Sequence, residues 1–255
     1  MADIEKLRRE WLAEEAATFQ GWDFSRLDGR MIEEPLPWDY GEVVKQHLRP
    51  EHKLLDMHTG GGEILLSLNH PHKNTCVTEG YQPNYELCVE QLAPLGITVR
   101  QIFDDDIDNI PYDDNAFDVV LNKHGAFDMR EVDRVLKPGG VFITQQVGQE
   151  NNRELTNTLI GNGIRPYMQH DRKSNQKLVE SAGFAVIQSG EHFQMVRFLD
   201  VGAAVYYAKI IEWEFPGFSV ERFFDALLNL QNILEKQGYI EACWHRFFLV
   251  CERET

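Results

Sequence analysis

Three consecutive glycines, Gly60, Gly61 and Gly62, separate a short apolar run from a helical pattern. The run is Lys53-Leu54-Leu55-Asp56-Met57, then His58 and Thr59; the pattern is Glu63-Ile64-Leu65-Leu66-Ser67-Leu68. This order reads as a strand, a sharp turn and a helix. Glycine lets the main chain turn there and lets a ligand approach it closely. Asp56 falls at the end of the strand, and ligands of open α/β sheets bind outside the carboxyl ends of parallel strands. Two ligand classes use this geometry, and a glycine run alone can also be only a turn.

Dinucleotide enzymes need Gly-x-Gly-x-x-Gly, whose third glycine packs the helix on the strand. Gly60 and Gly62 supply the first pair, but the third position is Leu65. The stretch instead resembles motif I of the class I, Rossmann-like S-adenosylmethionine-dependent methyltransferases, Leu-Asp-x-Gly-x-Gly-x-Gly. Leu55, Asp56, Gly60 and Gly62 match, while His58 stands where the family has its first glycine. An imidazole there either swings out of the cofactor pocket or intrudes on it.

The 255 residues are 43% hydrophobic and 26% charged, which suits one globular domain with an appended cap. No apolar run of about 18 residues is present, so no membrane span is expected. Residues 1 to 20 are charged throughout and show no secretory leader pattern. Cys76, Cys88, Cys243 and Cys251 have no metal-ligand spacing and read as reduced thiols of a cytoplasmic protein. The net charge of −16 repels a polyanion and argues against nucleic acid as partner.

Along the chain, Ile4, Leu7, Trp11, Leu12, Ala16 and Phe19 make the apolar stripe of an amphipathic helix. Residues 21–41 read as an irregular aromatic stretch, with Trp22 and Phe24 packing on the core and Trp38 and Tyr40 in a lid. Strands are expected at 53–57, 74–78, 97–103, 117–121 and 141–145, with helices at 40–48, 63–68, 84–92 and 129–136 between them. This alternation implies βαβ units and a parallel sheet. Lys137-Pro138-Gly139-Gly140 reads as a tight turn. Further on, helices are expected at 174–182, 201–213 and 220–236 and strands at 184–189 and 244–251, while 149–171 carries no legible pattern.

From Leu54 to Val147 the resemblance runs motif by motif. It implies a doubly wound, mostly parallel seven-stranded sheet with helices on both faces and an antiparallel last strand. It implies an N-terminal helix and lid over 1–41, and a cofactor-binding domain over 42–255 with a helical insertion around 195–240 as a cap. The cofactor would be S-adenosylmethionine. Glu79, 23 residues after Asp56, matches the acid that holds the ribose diol, with Gly80 and Tyr81 beside it. Asp106 matches the acid at the adenine amino group, flanked by Asp105 and Ile107. Asp56, His58, Thr59, Gly60 and Gly62 would bound the methionine end. Asn122 and His124 follow the fourth strand, where the family presents residues to the methyl group. His124 is read as cofactor-lining and as a candidate general base. Gln145 and Gln146 are placed to line the acceptor pocket, and Arg134 reads as a helix-end charge.

The expected activity is methyl transfer to a small-molecule acceptor that no motif identifies. Two alternatives stay open: a non-catalytic protein that binds S-adenosylmethionine or S-adenosylhomocysteine, and an rRNA or tRNA methyltransferase. A dinucleotide oxidoreductase is disfavoured by Leu65 and by the lack of a Tyr-x-x-x-Lys pair. Oligomeric state has no signature in the sequence.

Overall fold

The computed structural model describes residues 3–19, 24–103, 109–161 and 168–254. Its helices are α1 (Ile4–Glu15), α2 (Tyr40–Lys45), α3 (Glu63–Ser67), α4 (Gln82–Gln91), α5 (Met129–Val135), α6 (Arg153–Ile160), α7 (Arg172–Ser181), α8 (Val201–Ile210) and α9 (Phe224–Gln237). Its strands are β1 (Met31–Glu33), β2 (Leu54–Met57), β3 (Thr75–Glu79), β4 (Thr98–Gln101), β5 (Phe117–Lys123), β6 (Leu136–Val147), β7 (Phe184–Phe198) and β8 (Ile240–Arg253). They form one sheet in the order β1-β7-β8-β6-β5-β2-β3-β4. The pairs β2–β3, β2–β5, β3–β4 and β5–β6 are parallel, and β8 is antiparallel to β6. This is the doubly wound arrangement expected, with one strand more. The addition is β1, antiparallel to β7 in the stretch read as irregular. No helix among the described residues is long and apolar enough to cross a membrane.

The chain packs as two compact units. One comprises residues 36–147, 170–192 and 246–255; the other comprises 1–35, 148–169 and 193–245. The division at 41/42 expected from the sequence follows chain order, whereas packing groups the N-terminal helix with later segments.

In the first unit the sheet has an apolar core on each face. Leu55, Met57, Val120 and Phe142 pack with Met129, Val132 and Val135 of α5 and Val179 of α7. Leu54, Val77, Val119, Leu121 and Ile143 pack with Val43 and Val44 of α2, Leu65 of α3 and Cys88 of α4. Successive strand residues point to opposite faces, and a strand covered on both sides buries both. That explains burial of all four residues of β2. Tyr40 lies in this core and donates to the Ile143 carbonyl at 3.2 Å. Trp38 packs on Phe248 with ring centroids 5.0 Å apart. Both aromatics read as lid residues are therefore fixed on the first unit.

In the second unit α8 is buried from Val201 to Ala208. Its sequence VGAAVYYA is apolar all round, as a core helix must be. Asp200 caps it by accepting from the Ala203 amide at 2.7 Å. Trp11 of α1, Leu155 and Leu159 of α6, and Leu227 and Leu230 of α9 pack in the same cluster.

Three stretches differ from the sequence reading. Lys137–Gly140 belongs to β6, with a register shift opposite Phe117 and Val119, and Gly139 has φ +74°. A bulge in the strand replaces the expected turn. β7 runs nine residues beyond Ser189. α6 occupies part of the region that carried no legible pattern.

Candidate functional site

The carboxyl ends of β2, β3, β5 and β6 hold the residues singled out by sequence. Asp56 shares the face of Leu54, since Leu55 and Met57 lie in the opposite core. Register carries this face across the sheet. Asp56 pairs with Val77 and Leu121, and Lys123 pairs with Gln145, which pairs with Phe248. Asp56, Glu79, Lys123 and Gln145 thus point to the α2–α3–α4 face.

After β2 the main chain turns through left-handed conformations at His58 (φ +55°), Gly60 (φ +64°) and Gly62 (φ +83°). The Thr59 amide donates to the Thr78 carbonyl at 3.2 Å, and the Thr59 hydroxyl donates to Asp56 Oδ2 at 2.6 Å. A Cβ on Gly62 would sit 2.9 Å from the Leu92 side chain. A Cβ on Gly60 would meet nothing within 4 Å, so the loop is open there. Glu79 grips this loop. Its Oε2 accepts from the Gly60 amide at 2.7 Å, and its Oε1 accepts from the amides of Gly80 and Tyr81 at 2.9 and 3.0 Å. The carboxylate is buried, so these three bonds do structural work before any ligand arrives.

Two buried acids at the ends of neighbouring strands repel. Burial raises the Asp56 carboxyl to about 7; the Thr59 hydrogen bond lowers it, the Glu79 charge raises it further, and Lys123 lowers it. Burial and the Asp56 charge also hold the Tyr40 hydroxyl protonated, well above the usual phenol range. A cationic ligand would relieve this repulsion. The open glycine loop, the two buried acids and the lone pairs left on their oxygens fit a ligand with a diol and a cationic end. S-adenosylmethionine is such a ligand.

His58 meets a later segment of the chain. Its ring lies on Gly125, where a Cβ would stand 2.7 Å from Cδ2 and 2.9 Å from Cγ and Cβ. The residue that breaks the motif is accommodated by a glycine 67 positions later. Gly125→Ala is expected to cost about 1 to 3 kcal/mol by overpacking, and almost nothing in a His58→Gly background. Urea unfolding of the four proteins in this double-mutant cycle checks it; equal costs in both backgrounds would remove the pairing.

β5 reaches Lys123, so Asn122 is a strand residue and does not follow the strand. It pairs with Met57 and Thr144, which places its side chain on the face opposite Asp56. Its Oδ1 accepts from Gln146 Nε2 at 2.6 Å, and its Nδ2 donates to the Ala126 carbonyl at 3.4 Å. Gln146 also donates to Thr144 Oγ1 at 2.8 Å and to the Gly125 carbonyl at 3.2 Å. Asn122 and Gln146 form an internal lock and stand apart from the Asp56–Glu79 group. Arg134 is likewise structural: it pairs with Glu131 and Asp114 and donates to the Tyr112 and Ile110 carbonyls.

His124 has φ +62°, and its amide donates to the Gln145 carbonyl at 2.8 Å. The crowded cleft, then Arg246 and Lys123, push its imidazole well below the usual range. Burial and Arg246 lower the Lys123 ammonium too, against Asp56 and Asp39, which raise it. Lys123 and Arg246 were not among the residues selected from sequence; a basic residue at a strand end looks like any solvated charge. Asp105, Asp106 and Ile107 lie outside the described residues.

Residues 55–144 match the family described as a methyltransferase domain. Sterol 4-C-methyltransferase strm-1 of Caenorhabditis elegans is 31% identical over 143 residues, covering 52% of this chain and 42% of that protein. The chain spans less than half the length of the curated relatives it matches. Among solved structures, the YcgJ protein of Bacillus subtilis superposes with a TM-score of 0.57 at 17% identity, over 85% of this chain and 98% of that one. A Bacillus halodurans protein assigned as a methyltransferase superposes with a TM-score of 0.55 at 15% identity, over 85% and 99%. At these identities the likeness shows the fold.

Proposed function

We propose that the chain, whose residues 55–144 match the methyltransferase-domain family, binds S-adenosylmethionine and passes its methyl group to a small-molecule acceptor. One observation carries the reading: the buried Asp56–Glu79 pair around an open glycine loop. We assign the cofactor to Asp56, Thr59, Gly60, Gly62, Glu79, Gly80 and Tyr81, with His58 and His124 at the methionine end. Asp105, Asp106 and Ile107 stay candidates at the adenine by sequence alone.

The cofactor supplies the activated methyl group, since its sulfonium makes that carbon electrophilic. The protein's part is to bind, orient and keep out water. Asp56 offers negative charge to a cationic ligand, and Glu79 holds the loop at the ribose. The carboxyl edge of β5 and β6, with Lys123, His124, Trp38 and Gln145, is where we place the acceptor. In-line approach to roughly 3 to 3.5 Å then does most of the catalytic work. The sterol methyltransferase relative puts sterols on the acceptor panel. The net charge of −16 keeps RNA low on it. Cys76, Cys88, Cys243 and Cys251 form no disulfide among the described residues, which suits a reducing, cytoplasmic setting.

Calorimetric titration with S-adenosylmethionine, S-adenosylhomocysteine and NAD tests the cofactor. We expect the first two to bind at least a hundredfold more tightly than NAD, about 2.7 kcal/mol. Binding of NAD alone would overturn the reading. Transfer of labelled methyl across a metabolite panel tests activity. Tight cofactor binding without transfer to any member of a broad panel would favour a non-catalytic binding protein.

A further inference from the structure

The strongest unassigned feature is a polar chain on the acceptor side of the sheet edge. Trp38 Nε1 donates to Gln145 Oε1 at 2.8 Å, and Gln145 Nε2 stands 3.4 Å from His124 Nε2. Each link fixes the next. An indole N–H is a donor only, so it must face the oxygen of the Gln145 amide. The amide nitrogen, also a donor only, then faces His124 Nε2. Two donors cannot share a hydrogen, so Nε2 must be the bare nitrogen and the ring proton must sit on Nδ1. The anchors of the chain are themselves held. Trp38 packs on Phe248, Gln145 is buried, and the His124 main chain is tied to the Gln145 carbonyl.

We propose that Trp38 and Gln145 are positioning residues that lock His124 as a neutral Nδ1–H tautomer, making it a hydrogen-bond donor at the acceptor site instead of a general base. This rests on the assignment of that edge to the acceptor. While the lock holds, Nε2 has its lone pair engaged and Nδ1 carries a proton, so neither nitrogen can take one. The charged groups facing the ring are Lys123 on β5 and Arg246 on β8, both cations that oppose protonation. No described residue accepts from Nδ1, which leaves that donor for a ligand oxygen or nitrogen. The acceptor must therefore attack without giving its proton to His124. A substrate that enters already ionised, or whose proton leaves to solvent, satisfies this.

The test is ring ¹⁵N spectroscopy of histidine in the full chain, with His124 assigned by loss of its signals in His124→Asn. The wild type should show the Nδ1–H tautomer, neutral across pH 6 to 8. Trp38→Phe keeps the packing on Phe248 but frees the amide to flip, and should shift the ring toward Nε2–H. Gln145→Glu puts a carboxylate where the amide nitrogen stood and should draw a proton onto Nε2, raising the His124 pKa by at least one unit. An Nε2–H wild-type ring, a ring titrating near the usual value of about 6.5, or no response to Gln145→Glu would each overturn the proposal. Should Trp38→Phe fail to fold, the wild-type tautomer and Gln145→Glu decide it. S-adenosylhomocysteine titration of the same samples separates the two claims: absent binding with the tautomer intact sinks the functional reading and spares the lock.

Discussion

Glu79→Ala is expected to destabilise the protein by about 3 to 5 kcal/mol and to abolish cofactor binding. The substitution strips the partner from three backbone amides, those of Gly60, Gly80 and Tyr81. Each buried donor left unpaired costs about 1 to 3 kcal/mol, and the exposed side of Tyr81 lets water relieve part of it. Glu79→Gln is the informative companion. It keeps one carbonyl oxygen but turns an NH2 toward an amide donor, so an intermediate loss is expected. Urea unfolding and cofactor titration on each variant read the two effects separately. A weakened dissociation constant with stability unchanged would mean that Glu79 touches only the ligand and that the loop holds itself.

Asp56→Asn should act in the opposite direction on stability. The folded carboxyl titrates at about 7 against an ordinary value of 3.8. For an acid raised on folding, the favourable contribution is full below the unfolded value and is lost as pH rises through the folded one. The aspartate therefore weakens the fold progressively from about pH 4 to pH 7, with the full penalty above that. The asparagine variant should match wild type near pH 4 and exceed it by roughly 2 to 4 kcal/mol at pH 8. Cofactor binding should weaken at the same pH, because the charge that favours a cationic ligand is gone. Denaturation midpoints at several pH values check the first claim. Equal midpoints for the two proteins at pH 8 would place the Asp56 carboxylate in better solvation than its burial implies.

How far the sequence was legible follows from what each region needed. The β2–loop–α3 unit was read from apolar runs and glycines because local chemistry dictates it. Glu79 was placed because it ends the next strand, though its grip on three amides shows only in the fold. Asn122 was misplaced through a boundary: ending the strand at Leu121 instead of Lys123 hides that it alternates away from Asp56. The end of β7 escaped notice because Gly190, Glu191, His192, Gln194 and Arg197 interrupt its apolar residues, so the buried Val196 and Phe198 stand in no apolar run. No local pattern links His58 to Gly125, or Trp38 to Gln145 and His124. These are meetings of distant chain segments, visible only once the sheet has set their register.

The interleaving of the two units bears on synthesis. The cluster that buries Trp11 is completed by α8, α9 and residues up to Ala242. At roughly 5 to 20 residues per second, the stripe of α1 waits on the order of 10 to 50 seconds after emerging before its partners exist. Through that interval Leu7, Trp11 and Leu12 face solvent on a helix that cannot hide them. A nascent chain of this design is exposed early and rescued late, and a holdase that covers an amphipathic helix fits that gap. Slowing translation between residues 40 and 200 should therefore lower the folded yield more than slowing it after residue 245.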